Sequence, residues 1–110
     1  MFFVSVDDFF TKAKEAPRLS REQEKALACQ KNEGDASARQ ALINGYLPFV
    51  AANIKRSPKE IQTLNTVYRC VDALEKGVDS FNFLQEGETF AHHLSRRLRQ
   101  CITRCIADRY

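Results

Sequence analysis

The chain has 110 residues, of which 44% are hydrophobic and 28% are charged, and its formal net charge is +3. This composition predicts a single globular domain over residues 1–110 and excludes disordered, fibrous and low-complexity proteins. No apolar run is long enough for a signal peptide or a membrane span, so we expect a cytoplasmic protein that does not bind membranes.

The four cysteines show neither a CxxC pair nor the spacing of a disulfide framework, which predicts reduced thiols packed as small core side chains. Cys101 and Cys105 lie one helical turn apart, near His92 and His93. Adjacent histidines point to different faces of a helix, so we predict no metal site. The chain also lacks a carboxylate pair, a Ser/His/Asp set, a phosphate-binding glycine loop and an HExxH motif. We therefore expect no catalysis, no cofactor and no small-molecule substrate.

Two short helices are predicted at the start of the chain. Ser5 is placed to cap the first helix, which lies within residues 1–16 because Pro17 cannot continue it. The run Ser20-Arg21-Glu22-Gln23 has the capping-box pattern that opens a second helix, and Asn32-Glu33-Gly34 ends it.

A third and a fourth helix are predicted in the middle of the chain. Asp35 is placed to cap the third, in which apolar residues recur at i, i+3 and i+4 between Ala38 and Ile54. The run Ser57-Pro58-Lys59-Glu60 combines an N-cap serine, a proline at the first helical position and a glutamate at the third. It predicts the start of a fourth helix, which Gly77 closes.

Residues 78–87 carry Phe81 and Phe83 among polar side chains and are predicted to form an ordered loop. A last helix is expected from about Thr89 to Asp108. The segment from Thr89 onward holds five arginines against a single acidic residue, as a phosphate-binding surface would. Because no strand pattern occurs, the predicted fold is all-α, a compact helical bundle of about five helices.

The last helix carries a resemblance to a known family. Its sequence, FAHHLSRRLRQCITRCIAD, resembles the promoter-melting and promoter-reading helix in region two of the sigma-70 family of RNA polymerase sigma factors. Positions 98–108 depart from the family's IRQAITRAIAD only at Leu98, Cys101 and Cys105. Upstream, LSREQE, GDASAR and YLPFV resemble the preceding family segments in the same order, so the resemblance covers about residues 17–110. No segment resembles the family's region four.

The resemblance implies roles for individual residues of the last helix. Gln100 and Thr103 match positions that face the upstream edge of the promoter minus-ten element, and glutamine can contact adenine bidentately. Arg99 and Arg104 match basic positions suited to phosphate, and Phe90 matches an aromatic position that supports the opened strand by stacking or packing. The residues predicted to contact DNA are Phe90, His93, Arg96, Arg97, Arg99, Gln100, Thr103 and Arg104.

The function implied is that of a sigma-factor-like DNA-binding protein of transcription initiation, with a region-two-like fold. Its expected partners are promoter minus-ten DNA and the RNA polymerase core. Part of the apolar stripe of the fourth helix is expected to form a partner surface in addition to the core. The residues predicted for this surface are Ile61, Leu64, Tyr68 and Leu74.

Departures from the family pattern keep other interpretations open. His93 stands in place of the strand-melting tyrosine, Arg96 and Arg97 replace two tryptophans, and residues 63–66 replace part of the acidic polymerase-binding motif. These departures fit a degenerate sigma fold that binds polymerase or an anti-sigma regulator without reading DNA. They also fit half of a split sigma factor that works with a second sigma-like subunit. A simpler alternative is that the arginines form only a solvated helix face.

Overall fold

Five α-helices make up the structure across residues 2–109, the part of the chain that the computed structural model describes. They are α1 (Val6–Glu15), α2 (Arg21–Asn32), α3 (Ala36–Lys55), α4 (Leu64–Ser80) and α5 (Phe90–Arg109), with one turn of 3-10 helix at Lys59–Ile61. No strand occurs within these residues. The predicted all-α bundle of about five helices is confirmed.

Side-chain caps confirm three of the predicted helix starts. Ser5 Oγ accepts a hydrogen bond from the Asp8 N–H at 3.0 Å. Ser20 Oγ accepts from the Gln23 N–H, and the Gln23 side chain accepts from the Ser20 N–H at 2.8 Å. Asp35 Oδ1 accepts from two amides in the first turn of α3. Because the first amides of a helix have no intrahelical partner, these caps fix where α1, α2 and α3 begin.

The predicted start of the fourth helix at Ser57 is wrong. The Ser57 hydroxyl donates to the Ile54 carbonyl and so serves the end of α3. The Gln62 side chain donates to the Ser57 carbonyl at 2.9 Å, and only a single 3-10 turn, Lys59–Ile61, lies between these residues. The helix α4 begins at Leu64, where Thr63 Oγ1 accepts from a backbone amide of the first turn at 3.4 Å.

The predicted end of this helix at Gly77 is also wrong, since α4 continues to Ser80. Gly77 is buried inside the helix, and a Cβ atom there would lie 3.5 Å from the Phe90 ring and from Arg97 Cδ. The glycine thus lies where α5 packs on α4, at an interior position of α4 and not at its end.

The core lies around α3, which packs against α1, α2, α4 and α5, while α4 and α5 pack along each other. Phe3 precedes α1 and is only 1% exposed, and its ring packs edge-on against Phe9 with centroids 5.0 Å apart. Phe3, Phe9 and Ala13 therefore belong to the core, although they precede α2. Among the helices of residues 2–109, none has the length and hydropathy that crossing a bilayer requires.

Candidate nucleic-acid interface

The helix α5 has one apolar face and one basic face. Its buried residues are Phe90, Leu94, Leu98 and Cys105, whose spacing places them on one side of the helix. This inner side packs on α4 and α3. The predicted contact residues that lie exposed are Arg96, Arg99, Gln100, Thr103 and Arg104.

Four of the exposed residues form a continuous surface, which we call the α5 polar face: Arg99, Gln100, Thr103 and Arg104. Residues three or four apart on a helix are neighbours, so Gln100 lies beside both Thr103 and Arg104. Within residues 2–109, neither Arg99 nor Arg104 forms an ion pair. The α5 polar face therefore presents an amide, a hydroxyl and two guanidinium groups to solvent.

His93 and Arg97 connect the first half of α5 to the end of α4. Arg97 donates from Nε to His93 Nε2 at 3.1 Å and from a terminal nitrogen to Ser80 Oγ at 3.3 Å. The His93 ring also packs on Phe81, with centroids 5.0 Å apart. Burial and then the charge of Arg97 lower the pKa of His93. At neutral pH the imidazole is therefore neutral and accepts the bond from Arg97.

Arg96 is exposed but is not free of contacts. Its guanidinium pairs with Glu88 in the loop before α5, and His92 Nε2 lies 4.0 Å from the same carboxylate oxygen. Exposed ion pairs of this kind contribute little free energy in water. A phosphate group can therefore compete with Glu88 for Arg96.

Phe90 does not lie where a DNA contact would require it. The side chain is 1% exposed, and its ring packs against Tyr46 and Phe83 with centroid distances of 4.7 Å to each. Phe81 packs on the same ring at 5.3 Å. The prediction of a direct contact with an opened strand is therefore corrected: Phe90 is a core residue that fixes the start of α5 on the bundle.

The predicted partner surface is only partly exposed. Leu74 is fully buried and Ile61 is 3% exposed, so both are core residues and not surface contacts. Leu64 is half-buried, and Tyr68 is 36% exposed. Leu74 is buried because α3 and α5 pack against α4, whereas Ile61 lies in the 3-10 turn, which packs against α5.

Two basic residues of α4 were not predicted. Arg69 and Lys76 line a groove of about 290 Å³ between α4 and α5, together with Arg97 and Arg104. Each of the two α4 cations also pairs with a carboxylate at 3.0 Å. The signal was present in the sequence, since residues seven apart share a helix face. The two residues can be assigned to a groove with α5 only once α4 is known to lie against α5.

The two cysteines of α5 lie towards its inner side. Cys105 is buried, and Cys101 is partly exposed. Nowhere in residues 2–109 do three His, Cys, Asp or Glu side chains come together as a metal ion would require.

A similarity to a curated protein covers nearly the whole chain. The RNA polymerase sigma factor SigA of Clostridium acetobutylicum is 32% identical to it over an alignment of 110 positions, which covers 96% of this chain. This chain is similar to a sigma factor. It spans 29% of the length of SigA. No family model matches it, and no solved structure does. In this sigma-factor-like chain, the α5 polar face and the adjoining groove are the candidate nucleic-acid interface.

Proposed function

We propose that this sigma-factor-like chain is a DNA-binding protein of transcription initiation, which contacts promoter minus-ten DNA through α5 and binds the RNA polymerase core. The observation that carries the proposal is the α5 polar face, in which Arg99 and Arg104 flank the exposed Gln100 and Thr103. The similarity to SigA supports the same class of function. In this proposal the protein acts in the cytoplasm and is not an enzyme.

The α5 polar face offers two kinds of contact. Gln100 supplies one amide donor and one acceptor, which match N7 and N6 of adenine in the major groove. Thr103, one turn further on, adds a hydroxyl group and a methyl group that can pack on thymine. Arg99 and Arg104 reach phosphates, which fix the register of the helix without reading sequence.

The groove between α4 and α5 extends this surface for the DNA backbone. Arg97 lines the groove, where its bonds to His93 and Ser80 hold the guanidinium in place. Arg69 and Lys76 add positive charge from the α4 side, which their ion pairs with Asp108 and Asp72 partly offset. We place the phosphates along this groove, because clustered cations attract the backbone whatever its sequence.

The proposed polymerase contact lies elsewhere on the molecule. Leu64 and Tyr68 are the predicted partner residues that keep exposed surface. Phe2 and Val4 are 72% and 69% exposed. They flank Phe3, whose backbone N–H and carbonyl are hydrogen-bonded to the Tyr68 hydroxyl. Apolar side chains grouped in this way often mark a protein contact.

Fluorescence anisotropy with single-stranded and duplex minus-ten-like DNA, across a salt series and with or without core RNA polymerase, tests the proposal. Gln100→Ala should reduce the preference for the minus-ten sequence, whereas Arg104→Ala should weaken binding to all sequences alike. Arg18→Ala is the matched control, because it removes one exposed charge outside α5. It should leave both properties unchanged.

Absence of DNA binding both alone and with polymerase would show that the DNA-reading proposal is wrong. Recovery of polymerase, of a second sigma-like subunit or of an anti-sigma regulator in that case would support the alternative, a sigma-like module for protein interaction. Sequence-selective binding that appears only with polymerase would support the proposal. It would also show that this chain needs the polymerase core in order to read DNA.

A further inference from the structure

The thiols of Cys70 in α4 and Cys101 in α5 meet at the interface between the two helices, where their sulfur atoms are 3.8 Å apart. Cys70 is fully buried. Cys101 is partly exposed and lines the groove beside Arg69 and Arg104. One thiol of the pair is therefore open to small solutes from the groove, while the other is shielded behind it.

Hydrogen bonds and charge distinguish the two thiols. Hydrogen bonds from Cys70 and then Cys105, followed by the positive charges of Arg69 and Arg104, lower the pKa of Cys101 to about 7. The hydrogen bond with Cys101 and burial raise the pKa of Cys70. Because the thiolate is the reactive form of cysteine and only Cys101 of the pair is exposed to the groove, Cys101 is the thiol that an oxidant in solution reaches first.

We infer that Cys101 is an oxidation site for hydrogen peroxide and that Cys70 resolves the oxidised sulfur by forming a disulfide between α4 and α5. The inference rests on the contact between the two sulfur atoms and on their unequal exposure. It is independent of whether the chain binds DNA or polymerase.

The reaction proceeds in two balanced steps. The Cys101 thiolate attacks one oxygen of hydrogen peroxide, so that an S–O bond forms, the O–O bond breaks and hydroxide leaves, which gives a sulfenic acid. The Cys70 sulfur then attacks the Cys101 sulfur, so that the S–S bond forms and the S–O bond breaks. The protons from the two thiols combine with the two departing hydroxides as water. Two thiols are oxidised by two electrons, and one peroxide is reduced to two waters.

Forming the bond requires the two sulfur atoms to move together. A disulfide bond is about 2.05 Å long, so the sulfur atoms must approach each other by roughly 1.8 Å from their present contact. Both residues lie inside their helices and away from the helix ends. The bond would therefore join α4 to α5 within their shared interface, next to Gln100 of the α5 polar face.

Peroxide treatment of the whole wild-type chain, followed by alkylation of the remaining thiols and tryptic mass mapping, tests the inference. Trypsin places each cysteine on a separate peptide, because it cleaves after Lys25, Arg69, Arg99 and Arg104. The expected product is the Cys70 peptide linked to the Cys101 peptide, and dithiothreitol should release the two. Unlinked peptides, or a link from Cys101 to Cys105, would overturn the inference.

Three variants test the order of the steps. Cys70→Ser should stop the reaction at a sulfenic acid on Cys101, which dimedone traps, and Cys101→Ser should leave Cys70 unmodified. Cys29→Ser is the matched control, because it removes an exposed thiol outside the pair and should cross-link as the wild type does. Equal dimedone labelling of Cys70 and Cys101 would contradict the assignment of Cys101 as the attacking thiol. Since the mapping of the wild-type chain needs no substitution, a variant that fails to fold does not affect the main test.

Discussion

The hydroxyl of Tyr68 binds both backbone groups of Phe3: it accepts from the Phe3 N–H at 2.9 Å and donates to the Phe3 carbonyl at 2.9 Å. Sixty-five positions separate the two residues in sequence. The pair of bonds attaches the segment before α1 to α4 and holds the Phe3 ring in the core. Tyr68 is therefore a structural anchor as well as a partly exposed surface residue.

The Tyr68→Phe variant should lower the free energy of unfolding by roughly 1 to 3 kcal/mol, because it removes two hydrogen bonds from partly buried backbone groups. Urea denaturation measures the loss, and hydrogen exchange at the Phe3 amide locates it. Val4→Ala, which changes a side chain that is 69% exposed, should have little effect on either measurement. Unchanged protection of the Phe3 amide in Tyr68→Phe would show that the anchor is unimportant.

The helix starts show which part of this fold is readable from sequence. The caps at Ser5, Ser20 and Asp35 act on amides two or three residues away, so the local sequence suffices to predict them. Ser57 has an equally good local pattern, yet its hydroxyl serves the preceding helix. A local pattern cannot show which of two adjacent helices a hydroxyl will serve.

Some residues of the candidate site can likewise be predicted from the local sequence, and others cannot. Helical periodicity alone places Gln100 and Thr103 on the outer face of α5, and the structure places them there. The burial of Phe90 depends on Tyr46 in α3, and the contribution of Arg69 depends on the pairing of α4 with α5. Contacts between distant segments decide these two cases, and the local sequence does not show which segments meet.

The effect of substituting Gly45 should depend on whether Leu19 is present. A Cβ atom at Gly45 would lie 2.6 Å from Leu19 Cδ1, so Gly45→Ala must displace a side chain that packs against the core. Without Leu19 the same change should stabilise α3 by up to about 1 kcal/mol, because alanine favours the helix over glycine. Thermal denaturation of the two single variants and the double variant measures this coupling. Equal gains from Gly45→Ala with and without Leu19→Ala would contradict the predicted clash.

The imidazole of His93 should titrate below its ordinary pKa of 6.5, since burial and the Arg97 charge disfavour its protonated form. Because the pKa is lower in the folded state than in the unfolded state, the unfolded chain binds the proton more readily. The stability from neutral His93 is therefore present above about pH 6.5 and is lost as the pH falls through the folded pKa.

An NMR titration of the imidazole protons measures this pKa, with His92→Asn to assign the His93 resonance. Arg97→Gln should raise the midpoint towards the ordinary value, because it removes the neighbouring charge. A wild-type midpoint at or above 6.5 would show that burial and the Arg97 charge do not disfavour the protonated imidazole in solution.

If α5 binds duplex DNA as proposed, the double variant Arg99→Ala/Arg104→Ala should reduce the salt dependence of affinity. The slope of log K against log salt is negative, and each lost phosphate contact reduces its magnitude by about 0.9, so the pair should reduce it by roughly 1.8. The matched control is Arg18→Ala/Arg56→Ala, which removes the same charge from exposed positions outside α5. An equal change of slope in both double variants would indicate a general effect of net charge and not a contact by the α5 polar face.

The disulfide inferred between Cys70 and Cys101 should stabilise the fold. It would close a loop whose ends are 31 positions apart, and the loss of chain entropy in the unfolded state is worth up to about 3 to 4 kcal/mol for a loop of this size. For a domain of about this length, such a gain raises Tm by roughly 10 to 20 °C.

Calorimetry of the peroxide-treated chain before and after dithiothreitol measures the shift, and peroxide-treated Cys101→Ser should show none. Closing the gap between the sulfur atoms strains the interface of α4 and α5, so the measured gain should fall somewhat below the entropic figure. A cross-linked chain that melts below the reduced one would mean that the bond distorts this interface more than it restrains the unfolded state.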